Sequence, residues 1–139
     1  MPAVNYVLNI KQDEAVQKGL NFICTLNITQ PLAMDDSDLY LLLSNLIDNA
    51  IIHIGLGKTI RVNMREVRDT SMIQVCNSVN GTVINSEGHF ISSSGSDGHG
   101  YGLKTIQAII DKYHGYYVCE QKGNEAVCTV FIPFGKIFD

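Results

Sequence analysis

The order of predicted elements in this 139-residue chain indicates an α+β fold, a two-layer sandwich in which one mixed, mostly antiparallel sheet is backed by three helices. Two observations lead to this prediction. Strands occur in adjacent pairs joined by short turns, which is typical of antiparallel hairpins. Helices stand between those pairs, and the strict strand–helix alternation of a doubly wound parallel fold is missing. The length suits one domain with one core.

The chain begins with a helix and a strand. Residues 5–18 predict a helix that Gly19 ends, because glycine readily adopts the left-handed conformation of a helix C-terminus. Residues 20–28, "LNFICTLNI", combine β-branched and aromatic side chains and predict a strand that stops before Pro31.

A long apolar helix follows. It begins near residue 34, where Asp35 or Asp36 is expected to cap its start and to suit the positive end of the helix dipole. Leucine, isoleucine and alanine then follow helical spacing as far as Ile54 and cover about half of the circumference. We therefore expect this helix to pack against a large apolar surface.

Two hairpins are separated by a long aperiodic segment and a helix. Residues 59–67 alternate apolar and polar side chains and residues 72–79 return after a turn, so they predict an antiparallel pair. Residues 79–100 are rich in Ser, Gly and Asn. An aperiodic segment of about 20 residues in a compact domain is usually a functional lid or disordered. A helix is expected over 101–115, and a second hairpin closes the chain. Its strands are residues 116–121 and 126–134.

Charge and hydropathy exclude several classes of function. The formal net charge is −4 without a basic block or stripe, which argues against a nucleic-acid partner. The sequence has neither a run of about 18 apolar residues nor the charged start of a signal peptide, so we expect no membrane contact by this chain. The four cysteines lie far apart in apolar runs, and we interpret them as buried, reduced thiols in a reducing compartment. They are Cys24, Cys76, Cys119 and Cys128.

Several glycines lead into the helix predicted at residue 101, in the stretch "SGSDGHGYGL". A helix N-terminus exposes unpaired backbone N–H groups, and glycines let a phosphate approach them closely. The stretch lacks the Lys-Ser/Thr of a Walker A loop, and no strand precedes it as in a dinucleotide-binding fingerprint. Taken alone, it also fits a flexible surface loop that enters a helix, so a phosphate site needs a second signal.

The second signal is a pair of asparagines on the long helix. Asn45 and Asn49 are four residues apart and therefore share one face, beside the apolar arc, and His53 continues the same stripe. Asparagine is a poor helix former, so two in register need a reason. One possible reason is local, namely amides that bond nearby backbone groups. The other is functional, because a carboxamide oxygen suits Mg²⁺, an ion that also holds phosphates.

Together, "LLSNLIDNAI" and "GHGYGL" resemble the N box and the last glycine box of the GHKL superfamily of ATP-binding proteins. DNA gyrase B, heat-shock chaperone ATPases, mismatch-repair ATPases and histidine kinases share this fold. The resemblance covers about residues 20–133, including the long segment between the boxes. The chain is most similar to the catalytic and ATP-binding domain of sensor histidine kinases, and among them to the peptide-pheromone-sensing subgroup.

The resemblance implies a site for ATP and Mg²⁺. Asn49 would coordinate the metal ion, with Asn45 and His53 beside it on the same helix. Asn77 would meet the adenine amino group, at the position where most relatives carry an aspartate. The residues at the start of the third helix would wrap the triphosphate. They are Gly98, His99, Gly100, Tyr101, Gly102, Leu103 and Lys104.

The sequence departs from the family pattern at two positions. The aspartate box with its glycines is missing around Asn77, and a neutral amide should hold adenine less tightly than a carboxylate. The stretch "SVNGTVI" can also be interpreted as an Asn-Gly hairpin turn. Relatives that hydrolyse ATP carry, at the position of Asn45, a carboxylate that activates water. An amide cannot accept that proton near neutral pH, which argues against a water-splitting ATPase. Asp48 points about 100° away and is not assigned as the base.

The function implied by the resemblance is transfer of the γ-phosphoryl group of Mg·ATP to a histidine on a separate dimerisation domain of the same receptor, which then serves a response regulator. No catalytic residue is assigned within the chain itself. Residues 1–19 would end the connection to that domain, and residues 20–139 would be the ATP-binding domain with its lid at about 79–100. We expect a cytoplasmic location beneath a membrane-bound receptor. The alternatives are a catalytically silent binding or dimerisation domain and an anti-sigma-factor type serine kinase, which expects glutamate at position 45.

Overall fold

Helices and strands follow one another in the order that the hairpin pattern predicts. The computed structural model describes residues 2–91 and 97–134, with the backbone alone at 97–101. Three helices and five strands lie within these ranges, and none of these helices is long and apolar enough to cross a membrane. The helices are α1 (Pro2–Gln17), α2 (Asp36–Ile52) and α3 (Asp97–Lys112). The strands are β1 (Asn21–Asn27), β2 (Thr59–Val67), β3 (Thr70–Ser78), β4 (Tyr116–Lys122) and β5 (Glu125–Pro133).

The strands form one mixed sheet in the order β1-β2-β3-β5-β4. β1 pairs with β2 in parallel, and the other three pairings are antiparallel. Parallel neighbours need a crossover connection, which here contains α2, whereas short turns join the antiparallel pairs β2–β3 and β4–β5. The predicted α+β sandwich, with a mostly antiparallel sheet backed by three helices, is thereby confirmed over the described ranges.

The core lies between the helices and one face of the sheet. The alternation in β2 turns Ile60, Val62 and Met64 toward the helices, each at most 1% exposed. Arg61 and Arg65, on the opposite face, are exposed. Burial of each such apolar side chain contributes about 1.5–3 kcal/mol, which fixes the register of the strand. The helices supply Val4, Val7, Leu42, Leu43, Ile47, Ile106 and Ile110 to this core.

Helix α1 packs on α2 as part of the same core. Ala15 is fully buried, and Lys11 Nζ donates to Asp48 Oδ1 on α2 at 2.8 Å. The predicted stop at Gly19 is confirmed, since Gly19 has a φ of 75° and the N–H of Leu20 donates to the Ala15 carbonyl at 2.9 Å. Whether α1 continues into a further domain stays a prediction.

The N-terminal end of α2 is fastened to the C-terminal end of α3. Tyr113 Oη donates to Asp38 Oδ2 at 2.6 Å and accepts from the Asp35 N–H at 3.0 Å. Lys112 Nζ donates to the same Asp38 oxygen at 2.8 Å. Asp35 occupies the N-cap position but makes no side-chain capping bond, so the expected cap is not formed. The hydroxyl of Tyr113 satisfies a backbone donor at this end instead.

Helix α3 begins at Asp97 instead of residue 101, so the prediction of its start is wrong. Gly98 and Gly100 therefore lie in helical backbone. Each glycine costs a helix about 1 kcal/mol relative to alanine. Tertiary packing outweighs this cost, because α3 anchors itself through Ile106 and Ile110, which are 0% and 1% exposed.

The prediction of four buried, reduced thiols is wrong for three of the cysteines. Cys119 and Cys128 form a disulfide, since the β4–β5 register places them directly opposite each other with Cα atoms 4.2 Å apart. Cys24 lies on the edge strand β1 and is exposed, whereas Cys76 is free and buried as expected. The spacing of cysteines in a sequence does not reveal how strands pair, so this disulfide could not be predicted. Because two of the cysteines are paired, the cysteines no longer indicate a reducing compartment.

Candidate functional site

The two sequence motifs meet where α2 and α3 pack together. A methyl group added at Gly102 would lie 3.2 Å from Asn45 Oδ1 and 3.8 Å from Asn49 Oδ1. The shorter distance is tighter than an ordinary van der Waals contact, so glycine allows the backbone of α3 to come this close to the amides. Two amide oxygens of α2 therefore lie close to the first half of α3.

The two asparagines have different surroundings. Asn49 is 5% exposed, and its Nδ2 has no hydrogen-bond partner among the described residues. A buried donor without a partner costs about 1–3 kcal/mol, so it calls for an external acceptor. Asn45 is half-buried, and its Nδ2 donates to the Leu41 carbonyl at 2.7 Å. The local interpretation therefore holds for the nitrogen of Asn45, while its oxygen stays beside Gly102.

Asn77 and His53 meet at the C-terminal end of α2. Asn77 is 2% exposed, and its Nδ2 donates to the carbonyl oxygens of His53 at 3.3 Å and Ser78 at 3.2 Å. Both amide hydrogens are thus used within the fold. The alternative Asn-Gly hairpin is wrong, because β3 pairs with β2 and β5, and within residues 79–91 no strand returns to pair with it. His53 is one helical turn beyond Asn49, so the side chains of Asn49, His53 and Asn77 all lie at the C-terminal end of α2.

The first part of the predicted lid is structured. Ile84 and Phe90 form an isolated β-bridge and are 6% and 9% exposed. The ring of Phe90 stacks on His53, with centroids 4.2 Å apart and planes inclined by 11°. Phe90 was not predicted as a site residue, although it is the one Phe, Tyr or Trp within residues 79–100 and was an available signal. Residues 92–96 of the lid lie outside the described residues.

The turn between α2 and β2 supports the segment that follows Asn77. A methyl group at Gly55 would lie 2.6 Å from both Asn80 Oδ1 and the Val79 carbonyl carbon, so glycine is required here. The Gly55 N–H donates to the Ser78 carbonyl at 2.7 Å, and the Leu56 N–H donates to Asn80 Oδ1 at 3.0 Å. These contacts hold the exit of β3 against the end of α2.

Leu103 and Lys104 line a neighbouring cleft of about 600 Å³ between α3, β4 and residues 87–89. Helical spacing places Lys104 about 200° around α3 from Gly102, so it does not join Asn45 and Asn49. Burial raises the pKa of Tyr117 to about 12, which keeps this cleft residue protonated at neutral pH. The remaining lining residues include Gln107, Tyr116, Val118 and Cys119.

Four predicted site positions lie at the start of α3. Gly98, His99, Gly100 and Tyr101 belong to the helical backbone of α3, and the side chains of His99 and Tyr101 lie outside the described residues. Their contacts with a nucleotide therefore stay predictions.

Residues 34–133 match the model of a protein family described as the GHKL domain. This stretch contains both asparagines of α2 and the glycines of α3, and it covers most of the chain. The chain belongs to the GHKL domain family. The superfamily resemblance of the two motifs is thereby confirmed, whereas membership of the peptide-pheromone-sensing subgroup stays a prediction. No curated protein sequence matches the chain significantly.

Solved structures of histidine kinases share the fold of this GHKL domain. The catalytic domain of histidine kinase ThkA has a TM-score of 0.75 at 20% identity, over 96% of this chain and 92% of that one. ThkA in complex with the response regulator protein TrrA gives 0.74 at 19% identity, over 96% of this chain and 40% of that one. Full-length ShkA in complex with AMPPNP has a TM-score of 0.77 at 17% identity, over 99% of this chain and 30% of the ShkA chain.

A further match is the Acinetobacter baumannii histidine kinase AdeS, with a TM-score of 0.70 and 21% identity. It covers 97% of this chain, and this chain spans 64% of the AdeS chain. At these identities the likeness shows the fold, namely that of histidine kinase catalytic domains.

Proposed function

We propose that this GHKL domain binds Mg·ATP and transfers the γ-phosphoryl group to a histidine on a separate dimerisation domain. The observation that carries the proposal is the approach of Gly102 to Asn45 Oδ1 and Asn49 Oδ1. It brings together the only two motifs that the sequence offers for a nucleotide. The AMPPNP complex of ShkA and the family match support the same ligand class.

The described residues fit such a ligand. The amide oxygen of Asn49 is the kind of ligand that Mg²⁺ prefers. Its buried Nδ2 has no hydrogen-bond partner among the described residues, and a bound nucleotide could supply an acceptor for it. Glycine at position 102 lets the backbone of α3 approach the amide oxygens of Asn49 and Asn45 closely. We assign Asn49 as the magnesium ligand, Asn45 as its neighbour toward the phosphates and Asn77 as the acceptor for the adenine amino group. When bound, Mg²⁺ would neutralise phosphate charge during transfer.

Positioning explains what the chain itself contributes. The amides of Asn45, Asn49 and Asn77 are neutral and none can accept a proton near neutral pH. They can orient the nucleotide, exclude water and hold the transferred group in line with an acceptor. The acceptor must therefore bring its own base, and the imidazole of a histidine does so. This reasoning favours a histidine kinase over a water-splitting ATPase.

The partners follow from this assignment. We place the phosphoacceptor histidine on a dimerisation domain of the same receptor, homodimeric in the full-length protein, and a response regulator downstream. The ThkA–TrrA complex supports a response regulator as partner for this fold. The location that fits is the cytoplasmic side of a membrane-bound receptor.

Isothermal titration with a non-hydrolysable ATP analogue and Mg²⁺ tests nucleotide binding. We expect saturable binding, and Asn49→Ala should weaken it at least about tenfold, the effect of losing one contact to a charged group. Asn27→Ala is the matched control, because Asn27 is exposed on β1, away from the site. Its affinity should equal that of the wild type.

Transfer is tested separately with [γ-³²P]ATP and a helical phosphoacceptor domain supplied in trans. Labelling of the acceptor histidine by the wild type, and its loss in Asn49→Ala, would support the proposed histidine kinase activity. Heats at the baseline with millimolar nucleotide would instead favour the catalytically silent binding domain. The replacement of the usual aspartate by Asn77, whose amide hydrogens are already bonded, is the observation that keeps this second candidate in view.

A further inference from the structure

One side chain outside the predicted site makes four hydrogen bonds to backbone groups. Gln121 Oε1 accepts from the N–H groups of Val83 at 2.9 Å and Ile84 at 3.2 Å. Its Nε2 donates to the carbonyl oxygens of Gly81 at 2.6 Å and Gly123 at 3.2 Å. Gln121 lies on β4, and three of its four partners lie just beyond β3, about 40 residues earlier in the chain.

The chemistry of these contacts admits only a terminal amide. Two backbone N–H groups need an oxygen acceptor, and two carbonyl oxygens need N–H donors. The carboxamide of glutamine supplies both from one planar group, so its orientation follows from its partners. Glutamate would keep the acceptor and lose the donors. Alanine would leave all four backbone groups without this partner.

The four contacts join two turns. Gly81 and Gly123 both have positive φ, at 68° and 61°, and each offers its carbonyl to the same Nε2. The N–H of Val79 also donates to the Asn124 carbonyl at 2.8 Å. The β4–β5 turn therefore holds the segment 79–84, which emerges from the sheet immediately after Asn77.

Segment 79–84 leads directly to the candidate site. Ile84 bridges to Phe90, and Phe90 stacks on His53, whose carbonyl accepts from Asn77. A continuous set of described contacts thus runs from Gln121 through Ile84 and Phe90 to the end of α2. Removing the Gln121 amide would release this segment on the side away from α2.

We propose that Gln121 is a positioning residue for the nucleotide site: it fixes segment 79–84 so that Asn77 and the His53–Phe90 stack keep their place at the end of α2. The inference rests on the proposed function, because it assigns Gln121 an effect on nucleotide affinity. Gln121 itself touches none of Asn45, Asn49 and Gly102 among the contacts described, so it acts through the segment.

Amide hydrogen exchange tests the bridge without any nucleotide. In Gln121→Ala, the Val83 and Ile84 amides should exchange about tenfold faster or more, as expected for the loss of a partly buried hydrogen bond. Amides of β2, which is separated from β4 by β3 and β5, should change far less. In Gln121→Glu the same two amides should exchange at a rate between those of Gln121→Ala and the wild type, because the acceptor oxygen is kept while the second carboxylate oxygen faces the carbonyls of Gly81 and Gly123.

Titration with the ATP analogue and Mg²⁺ then tests positioning. Gln121→Ala should weaken nucleotide binding at least about fivefold, and the affinity of Gln121→Glu should lie between those of Gln121→Ala and the wild type. Gln12→Ala, an exposed glutamine on α1, is the matched control and should bind as the wild type does. A graded order of affinities that follows the exchange rates is a result that general destabilisation would not produce.

The outcomes separate this inference from the proposed function. Unchanged exchange at Val83 and Ile84 in Gln121→Ala would overturn the bridge. Faster exchange with wild-type nucleotide affinity would overturn the positioning role and leave the proposed function intact. A wild-type chain that binds no nucleotide would overturn the proposed function, and the positioning role with it, while the exchange data would still report on the bridge.

Discussion

Replacing Gly102 by alanine should separate fold stability from nucleotide binding. The new methyl group would lie 3.2 Å from Asn45 Oδ1 and 3.8 Å from Asn49 Oδ1. Alanine in place of glycine favours a helix by about 1 kcal/mol. The contact with Asn45 opposes this gain, but Asn45 is half-buried and can yield by a few tenths of an ångström. We therefore expect a free energy of unfolding between the wild-type value and about 1 kcal/mol above it.

The same methyl group should harm the site. It would press on the amide oxygens of α2, to which we assign the metal ion and its phosphates. Affinity for the ATP analogue with Mg²⁺ should fall at least about tenfold, since displacing one contact to a charged group costs about 1.5–3 kcal/mol. The variant should thus be as stable as the wild type or more so, and bind worse.

Thermal melting followed by circular dichroism and titration calorimetry measure the two quantities. The melting temperature should stay level or rise by about 4 °C, the shift expected for 1 kcal/mol in a domain of this size. Ala108→Gly, an exposed position in the same helix, calibrates the propensity difference with opposite sign. A Gly102→Ala variant that binds nucleotide as tightly as the wild type would refute the argument that the close approach serves a ligand.

Three further predictions concern the remainder of the fold. Hydrogen bonds from Lys112 and Tyr113 lower the pKa of Asp38, so its stabilising effect is present above the unfolded value of about 4 and is lost as the pH falls through the folded pKa. In urea titrations from pH 6 to 3, the difference between wild type and Asp38→Asn should shrink only below about pH 4, and a constant difference would contradict this. Tyr113→Phe loses two hydrogen bonds between α2 and α3 and should lower the free energy of unfolding by about 1–2 kcal/mol, read from urea midpoints. In air-oxidised protein a thiol reagent should label Cys24 without denaturant and Cys76 only after unfolding, and labelling at four positions before reduction would exclude the disulfide.

Local patterns were sufficient to predict the elements and the fold class. Alternation in residues 59–67 and helical spacing up to Ile54 are properties of neighbouring residues, and both gave elements in the right place. The start of α3 was wrong for the opposite reason. Gly98 and Gly100 disfavour helix locally, while the packing of Ile106 and Ile110, later in the same helix, decides the outcome.

The same distinction between local pattern and tertiary packing applies to the candidate site. Asn45 and Asn49 were found because helical spacing alone puts them on one face. Their approach to Gly102 depends on how α2 and α3 pack, and the Cys119–Cys128 pair depends on strand register. Neither relation is local in sequence. Gln121 could not be found either, since a single glutamine in a strand carries no pattern and its partners are about 40 residues away.

The electrostatics of the site bear on which reaction the domain can support. The side-chain groups nearest to a methyl group at Gly102 are the neutral amides of Asn45 and Asn49. The nearest carboxylate along α2, Asp48, is committed to an ion pair with Lys11 at 2.8 Å on the side of α1. Its position on α2 also turns it away from the amides. A nucleotide bound here would thus be held by groups that orient it without activating water, so phosphoryl transfer would wait for an acceptor that carries its own basic nitrogen.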